Sequence, residues 1–113
     1  MEKLTDRKCE PCHSGGSPIS GEDIHKYIDA VPDWDVQDID GISRLVRTFK
    51  FRNFKEALAF TSEVGGIAEQ EGHHPSILTE WGRVTVTWWT HSIKGLHIND
   101  FIMASRTDAL YEP

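Results

Sequence analysis

No stretch of the sequence approaches the roughly 20 consecutive apolar residues that a membrane-spanning helix needs. The first residues, MEKLTDRKCE, carry charges with no apolar stretch behind them, so a secretory signal is not expected and a cytoplasmic setting is. Cysteine is scarce. Cys9 and Cys12 are the only two, and in a reducing compartment both are expected as thiols. Positive charge is in deficit, with 12 Lys and Arg against 18 Asp and Glu, a formal net charge of -6. That balance argues against a nucleic-acid backbone or an anionic membrane as the main partner, and leaves a protein partner open. Internal repeats and low-complexity tracts are absent as well. What remains is a chain of 113 residues, 38% hydrophobic, with four Trp and five Phe. Such a chain suits one globular domain with a core that needs neither metal nor disulfides.

Residues 1–18 read as a flexible leader ending in Gly15, Gly16, Ser17 and Pro18, and residues 19–113 as a single domain. Ser20 with Asp23 suits the start of a first helix, and Ile24, Tyr27, Ile28 and Val31 recur at helical spacing until Pro32. Trp34 and Val36 alternate as a short strand. Asp40-Gly41 is a hairpin signal, and Ile42 to Phe51 reads as the partner strand, with Leu45, Phe49 and Phe51 on one face. Asn53 with Glu56 opens a second helix, with Phe54, Ala57, Leu58, Thr61, Val64 and Ala68 as its expected buried stripe and Gly72 as its stop. Gly65-Gly66 inside it reads as close packing against another element.

Residues 76–81 and 83–91 read as two further strands joined around Gly82, with Val84, Val86 and Trp88 facing one way and Thr85, Thr87, Trp89 and His91 the other. A last helix runs from about Ile98 to Tyr111, with Ile98, Phe101, Ile102, Ser105 and Ala109 on one face. The order α-β-β-α-β-β-α, with hairpins, predicts an α+β fold: a four-stranded antiparallel sheet with helices packed on one face.

The chemistry concentrates around His73-His74-Pro75, where the chain leaves a helix and enters a strand. Pro75 holds His74 extended. Two adjacent antiparallel strands separate His74 from His91, so the chain goes out and back and the three imidazoles are expected on one sheet edge. The plainer alternative is a surface histidine pair plus a strand-end histidine bonded to a loop. Imidazole suits proton donation and acceptance near neutrality. Asp100, in the first turn of the last helix, reads as a cap or dipole partner rather than a catalytic group. Glu69, one turn before His73, either orients the site or is a solvated helix residue. Trp34, Trp81, Trp88 and Trp89 read as core or interface anchors, and spacing does not choose which of them would stack on a flat heterocycle. Cys9-Glu10-Pro11-Cys12-His13 matches the covalent haem pattern, but that reading requires export, and a solvated leader is expected instead.

The run Glu69-Gln-Glu-Gly-His73-His74-Pro75, followed by Trp81, His91 and Asp100 at fixed spacing, resembles the signature of the pterin-4a-carbinolamine dehydratases. PDWDV at 32–36, FKFRNFKEALAFTSEVG at 49–65 and residues 73–102 resemble bacterial members, over about residues 20 to 110 in all. The resemblance implies a hydro-lyase that removes water from 4a-hydroxytetrahydropterin (4a-hydroxytetrahydrobiopterin), giving the quinonoid dihydropterin. That step belongs to tetrahydropterin recycling for aromatic amino acid hydroxylation, phenylalanine hydroxylation among it. It implies no metal and no organic cofactor, a homodimer or homotetramer joined sheet edge to sheet edge, and a functional link to an aromatic amino acid hydroxylase. By resemblance His73, His74 and His91 are the catalytic residues, with His73 and His91 moving protons and His74 holding the ring. Pro75, Thr90, Ser92 and Trp34 line the site, with Trp34 covering the ring, and Glu69 and Asp100 support it.

Two other readings compete with the enzyme. Animal members of the family double as dimerisation cofactors for a homeodomain transcription factor, which implies a non-catalytic binding module as the alternative. Three histidines are also a zinc ligand set for a metallohydrolase.

Overall fold

Asp40 and Gly41 both take positive φ, 55° and 79°, and turn β1 (Asp35–Ile39) back into β2 (Ile42–Lys50). A two-residue turn of this kind matches the right-handed twist of the strands it joins, which is why an Asp-Gly pair is found there. The computed structural model describes residues 21–111. The expected leader, with Cys9 and Cys12, and the expected cap at Ser20 lie outside the described residues.

The remaining elements are α1 (Gly21–Ile28), α2 (Phe54–Glu71), β3 (Ser76–Glu80), β4 (Arg83–Trp88), a 3-10 turn at His91–Ile93 and α3 (Ile98–Leu110). The α+β order is as expected. The four strands form one antiparallel sheet in the order β1-β2-β4-β3, so β4 lies inside and β1 and β3 form the edges. The register sets Leu45 against Trp88 and Phe49 against Val84. Leu45, Phe49, Val84, Val86 and Trp88 are all buried on the face that the helices cover. The other face carries the hydroxyls of Thr48 and Thr85, 3.0 Å apart, and the exposed Leu78 beside Thr85.

Several details differ from the sequence expectation. Helix α1 stops at Ile28, before Pro32 can act. Val31 follows in a turn whose backbone bonds run back to Ile28, and from there it enters the core. Trp34 precedes β1 rather than alternating within it. On α2 the buried stripe is Ala57, Phe60, Val64 and Ala68, while Phe54 and Leu58 are exposed. Two neighbouring apolar stripes on that helix both satisfy helical spacing. The sheet covers the one that carries Phe60, whose ring lies 4.7 Å from Phe49 and 5.1 Å from Phe51. A methyl group added at Gly65 or Gly66 would meet nothing within 4 Å, so close packing among the described residues does not explain that pair. Strand β4 ends at Trp88, so His91 opens the 3-10 turn instead of closing a strand. Helix α3 is buried continuously from Ile98 to Ala104, while Ser105 is half-buried and Ala109 exposed. One side of α3 faces β2 and β4 and its flanks meet α1 and α2, so no polar stripe survives over its first half.

At the far end of α3, Asp108 accepts a hydrogen bond from Trp34 Nε1 at 2.8 Å and another from Arg47 at 2.6 Å. Burial pushes the Asp108 carboxyl above the usual range, while those two bonds oppose the shift.

The two faces of α2 give a direct check of this packing. Phe60→Ala is expected to lower stability by about 3–5 kcal/mol through lost burial and the cavity left behind. Leu58→Ala, on the exposed side, is expected to stay within about 0.5 kcal/mol. Urea denaturation of the two variants distinguishes them, and equal losses would contradict the assignment.

Candidate functional site

Gly72 takes the left-handed conformation at φ 63° and closes α2, its N–H bonding the carbonyls of Ala68 and Glu69. The next N–H, of His73, also returns to the Ala68 carbonyl at 3.1 Å. This paired closure satisfies the last carbonyls of the helix and aims the chain that follows. His73 is thereby directed inward and is 7% exposed, while His74 stays outside.

His73 Nε2–H donates to Asp100 Oδ1 at 2.6 Å. The imidazole also lies parallel to the Trp88 ring, 5.7 Å away with 3° between planes. Asp100 itself has no exposure. Its other oxygen accepts from Thr90 Oγ1 at 2.8 Å and from the His97 N–H at 2.9 Å. The last bond is half of a capping box, and the His97 ring completes it by accepting from the Asn99 N–H at 3.1 Å. The cap role expected of Asp100 is present, and the same carboxylate fixes His73. Sequence reasoning missed His97 and the Thr90 hydroxyl. A Ser, Thr, Asn or Asp is the usual cap, and a histidine in that place draws no attention.

His91 is exposed. Thr90 and Gly95 exchange backbone hydrogen bonds at 2.8 and 3.4 Å, closing a small loop that presents it. His91 Nε2–H donates to the His74 carbonyl at 3.2 Å, so the expected meeting of the two strand ends is realised. His74 Nε2–H donates to Glu69 Oε1 at 2.5 Å, with both side chains largely exposed. Glu69 has features of both readings, a bond to His74 and a side chain that is largely solvated. Pro75 is half-buried beside the pair, and Ser92 is exposed on the loop.

One rule covers all three rings. Each Nε2 meets a carboxylate or carbonyl oxygen, and such oxygens only accept. Each neutral imidazole is therefore held with its proton on Nε2 and its lone pair on Nδ1. No Nδ1 of His73, His74 or His91 takes a hydrogen bond among the described residues. The arrangement offers three bases, or three acids once protonated, whose orientation is set by acceptors behind them.

Trp34 is not part of this gathering. It is 2% exposed, edge-on to Phe49 and bonded to Asp108, so it is not placed to cover a ring bound at the histidines. Trp81, at the β3–β4 turn, is 70% exposed and Trp88 is core. Trp89 is the indole beside the site, its ring 4.3 Å from that of His91. Two clefts, of about 550 and 390 Å³, open elsewhere, the first between β2 and α2 around Phe51, Phe60 and Tyr111, the second beside β1 around Asp33 and Arg47. Of the three histidines, His74 and His91 are exposed and His73 is buried.

Comparison with known proteins adds a family. The family described as pterin 4 alpha carbinolamine dehydratase matches residues 17–110. A protein of Syntrophotalea carbinolica, provisionally named a pterin-4-alpha-carbinolamine dehydratase, is 56% identical over 112 residues, covering 99% of this chain and 100% of its own. A protein of Microcystis aeruginosa with the same provisional name is 55% identical over 111 residues, covering 98% and 96%. Among solved structures, a transcriptional coactivator/pterin dehydratase from Brucella melitensis superposes with a TM-score of 0.74 at 31% identity, covering 83% of this chain and 98% of that one. A pterin dehydratase-like RuBisCO assembly factor of the alpha-carboxysome shares the fold, with a TM-score of 0.59 at 24% identity, over 69% and 88% of the two chains.

The two histidine–carboxylate pairs differ sharply in burial, and their deletion should differ accordingly. Asp100→Ala removes a fully buried acceptor of three donors and is expected to cost about 3–5 kcal/mol. Glu69→Ala removes an exposed pair and should cost less than about 1 kcal/mol. Denaturant midpoints measure both, and a mild Asp100→Ala would contradict the buried arrangement.

Proposed function

The chain belongs to the pterin-4-alpha-carbinolamine dehydratase family, and we propose that it removes water from 4a-hydroxytetrahydropterin by proton transfer between imidazoles. The observation that carries the reading is the set of three histidines around the start of β3 and the exit of β4, each with Nε2 bonded to an acceptor and Nδ1 without a hydrogen bond among the described residues. Dehydration needs one proton delivered to the C4a hydroxyl and one taken from N5. A protonated imidazole donates to the departing oxygen as the C4a–O bond breaks. A neutral imidazole accepts the N5 proton, and the N5 electron pair forms the new C=N bond. Water and the quinonoid dihydropterin leave, and the two rings have exchanged protonation states, which solvent restores.

His73 and His91 are assigned to proton transfer. Behind His73 stands a carboxylate that orients the ring, the arrangement by which positioned bases are commonly held. His91 presents an exposed ring on a closed loop. His74, paired only with exposed Glu69, is assigned to holding the pterin, with Pro75, Thr90 and Ser92 around it. The assignment to Trp34 of covering the ring is withdrawn. The role is tetrahydropterin recycling beside an aromatic amino acid hydroxylase in the cytoplasm, without metal or organic cofactor. No described helix is long and apolar enough to cross a membrane.

A homo-oligomer is part of the same proposal. Neither sheet edge is paired among the described residues, and Leu78, Trp81 and Val36 are exposed along them or beside them. The same exposed groups favour the alternative of a binding module, as does the coactivator half of the Brucella protein's name.

Stopped-flow decay of freshly generated 4a-hydroxytetrahydropterin tests the enzyme. His73→Ala and His91→Ala are each expected to lower kcat by about 10²–10⁴-fold with little change in KM. His74→Ala should chiefly raise KM. Asp100→Asn should lower kcat by about 10²-fold, because an amide donating to Nε2 forces the proton of His73 onto Nδ1. Chelators should leave the wild type untouched. No acceleration by the wild type would leave the binding module. Sedimentation at micromolar concentration is expected to show dimers or tetramers, and monomer alone would defeat the oligomer.

A further inference from the structure

Three arginines among the described residues are half-buried: Arg44, Arg47 and Arg106. Arg47 is neutralised by Asp108 at 2.6 Å and Arg106 by Glu71 at 3.3 Å. Arg44 forms no ion pair with a carboxylate among the described residues. Its guanidinium lies over the Trp89 ring, 4.1 Å from the centroid. One terminal nitrogen donates a long 3.4 Å bond to the Ile39 carbonyl, and Nε is closed off from solvent without a partner. An orphaned donor costs free energy, so stacking rather than hydrogen bonding keeps this arm in place. A guanidinium held this way presents its remaining N–H groups already oriented.

The position gives the cation a purpose. The Trp89 ring also packs 4.3 Å from His91, so one indole touches both the guanidinium and the imidazole. In a pterin the reacting C4a is bonded to N5, and N5 to C6, which bears the side chain. A ring seated with C4a and N5 at His91 directs its C6 substituent along the sheet edge, and a few atoms span the width of one indole. Resting on the dehydratase reading, we propose that Arg44 is a specificity residue for this site, receiving a carboxylate or phosphate on the C6 substituent, with Trp89 positioning it. The planar fork suits either oxyanion, and no carboxylate among the described residues competes for it.

Kinetics with three 4a-hydroxytetrahydropterins tests this, their C6 side chains ending in a hydroxyl, a carboxylate or a phosphate ester. The wild type is expected to favour at least one acidic substrate over the hydroxylated one by about tenfold or more in kcat/KM. The KM of that substrate should rise with ionic strength while that of the hydroxylated one stays level. Arg44→Gln should bring the ratio close to one, Arg44→Glu should invert it, and Arg44→Lys should keep part of it. Which anion is preferred identifies the side-chain chemistry. Equal kcat/KM and flat salt dependence in the wild type overturn the proposal without needing any variant, as does a ratio that survives Arg44→Gln. If no pterin is turned over, the dehydratase reading fails separately. Quenching of tryptophan fluorescence by stable oxidised pterins with the same three side chains then decides the subsite. A preference for an acidic side chain that Arg44→Gln abolishes supports it, and equal Kd values overturn it.

Discussion

Asp100 is a carboxylate with no access to solvent, held by donors from three separate segments of the chain. His97 lies at the start of α3, Thr90 at the exit of β4 and His73 at the exit of α2. A buried charge that loses a donor has no water to replace it, so the three segments are tied in position relative to one another. The capping box of α3 and the orientation of His73 are one arrangement seen from two sides. Stability and site geometry are therefore coupled at this point, and a change that loosens the start of α3 also frees the imidazole.

Order decreases outward from that clamp. His73 is fixed by a buried bond and by the parallel face of Trp88. His91 is fixed by a short closed loop and by a bond to the backbone of His74. His74 relies on an exposed pair with Glu69, whose side chain is 80% exposed and whose contribution is small. The gradient suits the division of labour proposed above. Proton transfer demands positions held to a fraction of an ångström, whereas binding a flat ring tolerates a side chain that adjusts.

The parts legible in the sequence are those set by local chemistry. Asp40-Gly41 permits the two positive φ values of its turn, Asn53 caps α2 by accepting from the Glu56 N–H, and the alternation of Val84, Val86 and Trp88 marks the covered face of β4. The convergence of His74 and His91 followed from counting along two antiparallel strands. The parts that were not legible depend on what lies opposite. Helix α2 carries two apolar stripes, and only the sheet chooses between Phe60 and Leu58. Helix α3 lies beneath α1 and α2 as well as over the sheet, which erases the polar stripe that spacing would require. Trp34 faces Asp108, a partner 74 residues along the chain, and nothing near it in sequence indicates that bond.

Nitrogen-15 NMR of the neutral histidine rings tests the clamp most directly. Asp100 can only accept, so His73 Nε2 should give the signal of a protonated nitrogen and Nδ1 that of a lone-pair nitrogen, and the Asp100→Asn variant should exchange the two. A wild-type His73 with its proton on Nδ1, or averaging between both nitrogens, would contradict a ring fixed by Asp100.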